Sequence, residues 1–177
     1  MSLIITESPD DYPLAPQGLW PCVIIDSVNL GELQTPWGLK HKVSLVFELE
    51  EEDENGKRYI LGKRYTASLN EKANLRKDLE RFRGKKFTVD ELSEGVDLEE
   101  LVGLSCQILI VHNETDERTY ANVDSILPPP QVGKGQDRYH AIEPSGEYTR
   151  VVERPDYKPP EEFAKEVNQQ KEEEVVG

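Results

Sequence analysis

"KRYILGKRYTASLNEKANLRKDLERFRGKKF" occupies residues 57 to 87, and its change of period decides the fold. In the first part Tyr59, Leu61 and Tyr65 fall on one face at a spacing of two, which predicts a strand. From Ser68 the pattern becomes helical. Leu75, Leu79 and Phe82 recur at helical spacing, "SLNE" at 68 to 71 has the Ser-x-x-Glu spacing of a capping box, and Gly84 suits the left-handed position after a last turn. The stretch therefore predicts a strand followed directly by a helix.

Upstream, "KHKVSLVFELE" (40 to 50) alternates Val43, Leu45, Phe47 and Leu49 with polar residues, a second strand pattern. "EEDENG" then gives a solvated loop with Asn55 and Gly56 as its turn, so these two strands form a hairpin. "GLWPCVIIDSVNLG" (18 to 31) reads as a first strand, with Pro21 pointing to an edge or a bulge. Downstream, Thr88 to Glu91 and Asp97 to Glu100 repeat the capping spacing, which predicts short helical pieces, the second closed by Gly103. "LSCQILIVHN" (104 to 113) and "RTYANVDSILP" (118 to 128) flank the polar turn "ETDE" as a second hairpin, and Pro128 to Pro130 end the folded part.

The predicted order is strand, strand, strand, helix, strand, strand. That is the order of an OB-fold, a mainly β, five-stranded Greek-key barrel whose strand-two and strand-three face binds oligonucleotides or oligosaccharides. The expected organisation is an N-terminal extension over 1 to 16, the barrel over 17 to 130, and an extended or disordered acidic tail over 131 to 177. The tail combines scattered Gly, Pro and Tyr with a brief helix-like patch in which Phe163 and Val167, four apart, suit a partner-bound helix.

Charge is strongly segregated. The chain of 177 residues has a formal net charge of -14, yet residues 57 to 86 hold 11 basic and three acidic side chains. The segments before and after, 1 to 56 and 87 to 130, each carry -9. A local surplus of this size steers polyanions even when the total charge is negative. No apolar run approaches the roughly 18 residues that a membrane-spanning helix needs, and the N-terminal residues lack a secretory signal pattern. Cys22 and Cys106 lie far apart in apolar stretches and read as buried free thiols rather than a disulfide framework.

Single-stranded nucleic acid requires cations for its phosphates and aromatic rings for its bases. The candidate contacts are Trp37, Lys40, Arg58, Lys63, Arg64, Tyr65, Lys72, Arg76, Arg83 and Tyr120. Arg58, Lys63, Arg64 and Tyr65 belong to the third strand, while Lys72, Arg76 and Arg83 cluster on one flank of the helix stripe. Trp37, in the turn context "TPWGLK", is the preferred stacking ring; Trp20 reads as core, as does at least one of Tyr59 and Tyr65. The plainer reading of basic helix positions is a solvated face with exposed pairs such as Lys77 with Glu80.

The run "KRYTASLNEKANLRKDLERFRGKKFT", followed by "DLEELVGLSCQILIVH" and the ending "YANVDSILPPP", resembles small proteins encoded in the replication modules of bacteriophages and prophages. Those proteins are regarded as OB-fold single-stranded DNA-binding proteins. The resemblance spans about residues 17 to 130 and implies sequence-tolerant binding during replication or recombination, with Lys63, Arg64, Tyr65, Lys72 and Arg76 in the matching run. Together with the free thiols and the missing span and signal patterns, which read as a cytoplasmic protein, this means the host cytoplasm if the protein is phage-encoded. The acidic tail resembles the plan of bacterial single-stranded DNA-binding proteins, whose tails recruit replication or recombination partners, but "EEEVVG" lacks their aromatic tip.

Catalytic signatures are missing. His41, His112 and His140 are widely separated, and no H-E-x-x-H, C-x-x-C, P-loop or G-x-S-x-G spacing occurs. The expectation is a non-catalytic protein without metal or cofactor. The alternative is a protein-interaction module whose basic face docks an acidic partner or another subunit, so a homo-oligomer stays open.

Overall fold

The computed structural model describes residues 13–135 and 139–176. The first strand, β1 (Gly18–Thr35), turns through Pro36 and Trp37 into β2 (Gly38–Glu52), which turns at Asn55 and Gly56 into β3 (Arg58–Thr66). In that second turn Asp53 Oδ1 accepts from the amides of Asn55 and Lys57, and Gly56 takes a positive φ of 76°. Two helices follow, α1 (Asn74–Arg83) and α2 (Val89–Glu94), and then a 3-10 turn over Leu98–Leu101. The strands β4 (Ser105–Glu114) and β5 (Thr119–Leu127) complete one antiparallel sheet in the order β3-β2-β1-β4-β5. The molecule is thus mainly β, consistent with an OB-like fold.

The edge strands β3 and β5 approach each other, and Lys63 Nζ of β3 donates to the Asp124 carbonyl of β5 at 2.7 Å. Helix α1 packs against both strands with Leu75 and Leu79 buried. The enclosed core contains Ile24, Leu45, Phe47, Ile108, Ile110 and Ile126, each at most 1 % exposed. Cys22 and Cys106 face each other across β1 and β4, their sulfurs 3.3 Å apart as free thiols; this hydrogen bond, then burial, pushes the Cys22 thiol well up.

Capping differs between the helices. Thr88 and Glu91 make both halves of a capping box, and Gly84 closes α1 in the left-handed conformation at φ 73°. Ser68 does not cap α1. Its hydroxyl accepts from the Asn70 amide in a tight turn, and the helix begins six residues further on, at Asn74. Two register shifts, between Ile24 and Asp26 and between Asn29 and Gly31, bulge β1; Pro21 itself sits in regular register opposite Gln107.

The expected boundary at Pro130 requires correction. Of the proposed N-terminal extension, residues 1 to 12 lie outside the described residues, while Ala15 is buried and its carbonyl accepts from the His112 ring. The residues described after Pro130 are not a detached tail. Ile142 packs with Val23 and Ile25 on the outer side of β1, and α3 (Pro160–Val176) lays Ala164, Phe163 and Val167 over Leu30 and Leu33. The physical reason lies in β1, which is apolar on both faces and must be covered twice. Phe163 and Val167 therefore serve the chain's own fold rather than a free partner-binding helix.

Two outward-facing carboxylates fasten this covering strap. Asp26, fully buried, accepts from Tyr148 OH, Arg150 Nε and the Val151 amide at 2.9, 3.0 and 2.9 Å. Glu48, 1 % exposed, accepts from Arg58 Nη1 at 3.0 Å and from the amide and hydroxyl of Ser145, each at 2.8 Å. Arg150 also bridges to Glu99, whose carboxyl it holds below the usual range, with help from Ser27. At Gly31 the approach of α3 is so close that a Cβ would lie 2.5 Å from the Pro160 carbonyl oxygen. Asn168 then clamps the edge of β1, donating to the Glu32 carbonyl and accepting from the Gln34 amide.

Candidate nucleic-acid interface

The outer side of β2 is divided by the strap. Glu48 and Val46 lie under it, and Glu50 pairs with His140. Towards the β1–β2 turn, the outward positions are instead Ser44, Lys42 and Lys40, with Arg64 opposite Ser44 and Thr66 opposite Lys42 on β3. Alternation puts these residues outside because Val43 and Leu45 on β2, and Tyr65 on β3, point into the core. The acidic end of the strand face is thus covered and the basic end is open.

Beside that open end is a cleft of about 370 Å³ lined by Lys42, Arg64, Thr66, Ser68, Asn70 and Lys72, among others. No carboxylate among the described residues lines it. Lys42 Nζ donates to Thr66 Oγ1 at 2.7 Å, and Arg64 and Lys72 are exposed. Three cations around hydroxyls and amides, without an internal counter-charge, form a site for an anion. Trp37 stands in the β1–β2 turn, 84 % exposed, with Lys40 exposed on β2 between it and Lys42.

Other predicted contacts are engaged inside the chain. Tyr65 requires correction as a stacking residue: it is 2 % exposed and donates to Asp78 Oδ2 at 2.7 Å, so no base can reach its ring. Burial, with Asp78 adding to it, pushes the Tyr65 phenol well up, so it stays a proton donor. Lys63 shares the same Asp78 oxygen at 2.7 Å because it lies on the inward face with Tyr65. Arg58 holds Glu48 and the Glu143 carbonyl. Arg76 pairs with Glu80 at 3.5 Å and donates to the Leu69 carbonyl. Arg83 pairs with Glu91 and stacks 4.3 Å over the Phe87 ring. Glu91 is held below the usual carboxylate range by its Thr88 backbone bond and then by Arg83.

Tyr120 is 36 % exposed, with the Arg118 guanidinium 4.4 Å over its ring. Trp20 packs on the core and donates to the Pro16 carbonyl at 2.8 Å. The structure thus brings Lys40, Arg64 and Lys72 to one open region and adds Lys42, which sequence reasoning missed. The signal for Lys42 was present, since it alternates outward with Lys40. Among the described residues, no group of three or more His, Cys, Asp or Glu is placed to hold a metal ion, and no helix is long and apolar enough to cross a membrane.

No protein-family model matches this chain, and a search of curated proteins returned no match.

Proposed function

We propose that this protein binds single-stranded DNA without catalysing a reaction, and that it works as an OB-fold accessory in phage-type replication or recombination. The carboxylate-free cleft of Lys42, Arg64 and Lys72 beside the open end of β2 carries this reading. Phosphates fill the cation cleft, and a base stacks on Trp37, whose ring no core contact occupies. Phosphate contacts of this kind fix the strand's position and are indifferent to its sequence. The strand order β3-β2-β1-β4-β5, with α1 between β3 and β5, suits closure into a Greek-key barrel. The resemblance of residues 17 to 130 to phage replication-module proteins supplies the setting.

Fluorescence anisotropy of a labelled oligonucleotide with the full chain tests this. Arg64→Ala combined with Lys72→Ala is expected to weaken binding about 10-fold and to flatten the dependence of log affinity on log salt by about 1.4, or about 0.7 for each phosphate deprived of its cation. An unchanged salt slope moves the DNA away from this cleft. Absence of binding at about 0.15 M salt by the intact protein removes the reading and favours the docking of an acidic protein partner.

A further inference from the structure

A second cleft of about 380 Å³ lies between α1 and the β4–β5 hairpin, and Asn74 lines both clefts. Its chemistry differs from that of the first. Lys63 and Arg81 are both held by Asp78, which leaves Lys77 and Asp124 as opposite charges on its wall. Three asparagines, Asn74, Asn113 and Asn122, also converge on it. Asn113 and Asn122 reach it from β4 and β5, where Asn122 stands opposite Val111 and Asn113 opposite Tyr120. An amide both donates and accepts, whereas a carboxylate only accepts. Such a wall sets donors and acceptors, Asp124 and the asparagines, side by side and so matches the edge of a nucleobase.

Resting on the single-strand reading above, we propose that this cleft is a base-recognition pocket for the nucleotide next to the phosphate held by Arg64 and Lys72. The pocket selects bases that carry an exocyclic amine, because Asp124 Oδ2 accepts from the Ser125 hydroxyl at 3.2 Å and its Oδ1 is left to accept from the base, while the asparagine amides satisfy the remaining edge. Cytosine presents an N4 amine at the end of its pairing edge, whereas thymine presents a carbonyl there and its one donor, N3–H, stands between two carbonyl oxygens that a carboxylate repels. The protein therefore superimposes a base preference on sequence-tolerant phosphate binding. Tyr120, opposite Asn113 and two residues from Asn122, flanks the pocket with an aromatic ring.

The test compares labelled oligo-dC and oligo-dT of equal length against the full chain at several salt concentrations. Oligo-dC is expected to bind at least about fivefold more tightly, with equal salt slopes, since base edges release no counterions. Asn122→Ala with Asp124→Ala is expected to bring the ratio to unity while the thermal midpoint stays close to that of the parent. Both side chains are exposed on β5, the Asp124 carbonyl that Lys63 uses is retained, and the one bond lost inside the chain is the 3.2 Å contact from the Ser125 hydroxyl. Equal parental affinities for the two oligonucleotides overturn the pocket and leave the phosphate cleft standing. A preference that survives the double substitution overturns its location. Failure to bind either oligonucleotide overturns the single-strand reading itself.

Discussion

Asp78 accepts from three side chains on two elements: Lys63 and Tyr65 through one oxygen, and Arg81 through the other at 2.9 Å. That one carboxylate occupies Lys63, which strand parity puts on the inward face, while its neighbour Arg64 faces out. Asp78→Ala leaves the Tyr65 phenol without its acceptor and the Lys63 ammonium without its counter-charge, held only by the Asp124 carbonyl, at a site where Asp78 itself is 3 % exposed. The expected loss is about 3 to 5 kcal/mol in urea unfolding, whereas Arg64→Ala should stay within about 0.5 kcal/mol of the parent. The two variants should separate in opposite directions: the first loses stability, and the second loses oligonucleotide affinity and salt dependence. Equal midpoints for Asp78→Ala and the parent would show that the triad does not hold β3 to α1.

At the scale of elements, the two hairpins and α1 were legible because each follows a period that water enforces: Val43, Leu45 and Phe47 alternate, and Leu75 and Leu79 repeat every turn. The strap was not legible in this way. It is held by single contacts across 122 to 125 residues, such as Arg150 and Tyr148 on Asp26, and these impose no period on either partner. A weaker signal existed in "CVII" at 22 to 25, an apolar run without alternation that implies cover on both faces. Site residues divided by parity. Arg64 and Lys40 fall on outward positions, whereas Lys63 and Tyr65 fall inward, so the basic block as a whole overstated the free charge.

The strap should also respond to alkali. Burial and the bond to Asp26 push the Tyr148 phenol up to about 12, while an unfolded tyrosine titrates near ~10. A raised folded-state value means that the bond's contribution is full below pH ~10 and is lost as pH rises through about 12. Tyr148→Phe lacks that bond at every pH, so its thermal midpoint should start lower and decline less over this interval. Parallel declines for parent and variant would separate Tyr148 from the alkaline loss.

For the whole molecule, the C-terminal residues belong to the fold. Val23, Ile25, Leu30 and Leu33 are at most 7 % exposed because residues 142 to 167 lie over them. Burial of each contributes about 1.5 to 3 kcal/mol as an upper estimate, so together they approach the full stability of a domain, about 5 to 15 kcal/mol. A chain ending at residue 138 should therefore lose its cooperative melt by circular dichroism or associate on size exclusion. A monomer of unchanged midpoint would show that the strap is dispensable. DNA-binding measurements consequently need the full chain, because truncation alters the scaffold together with the charge.

The clamp between Asn168 and Glu32 spans 136 residues of a chain of 177. β1 leaves the ribosome well before α3, so its outer side is finished only after α3 has emerged. Between those moments its apolar face and the carboxylate of Asp26 have no cover, and closing so long a loop is a slow, non-local step. β1 thus depends on synthesis reaching α3, and a message interrupted before it yields a sheet that lacks its outer layer.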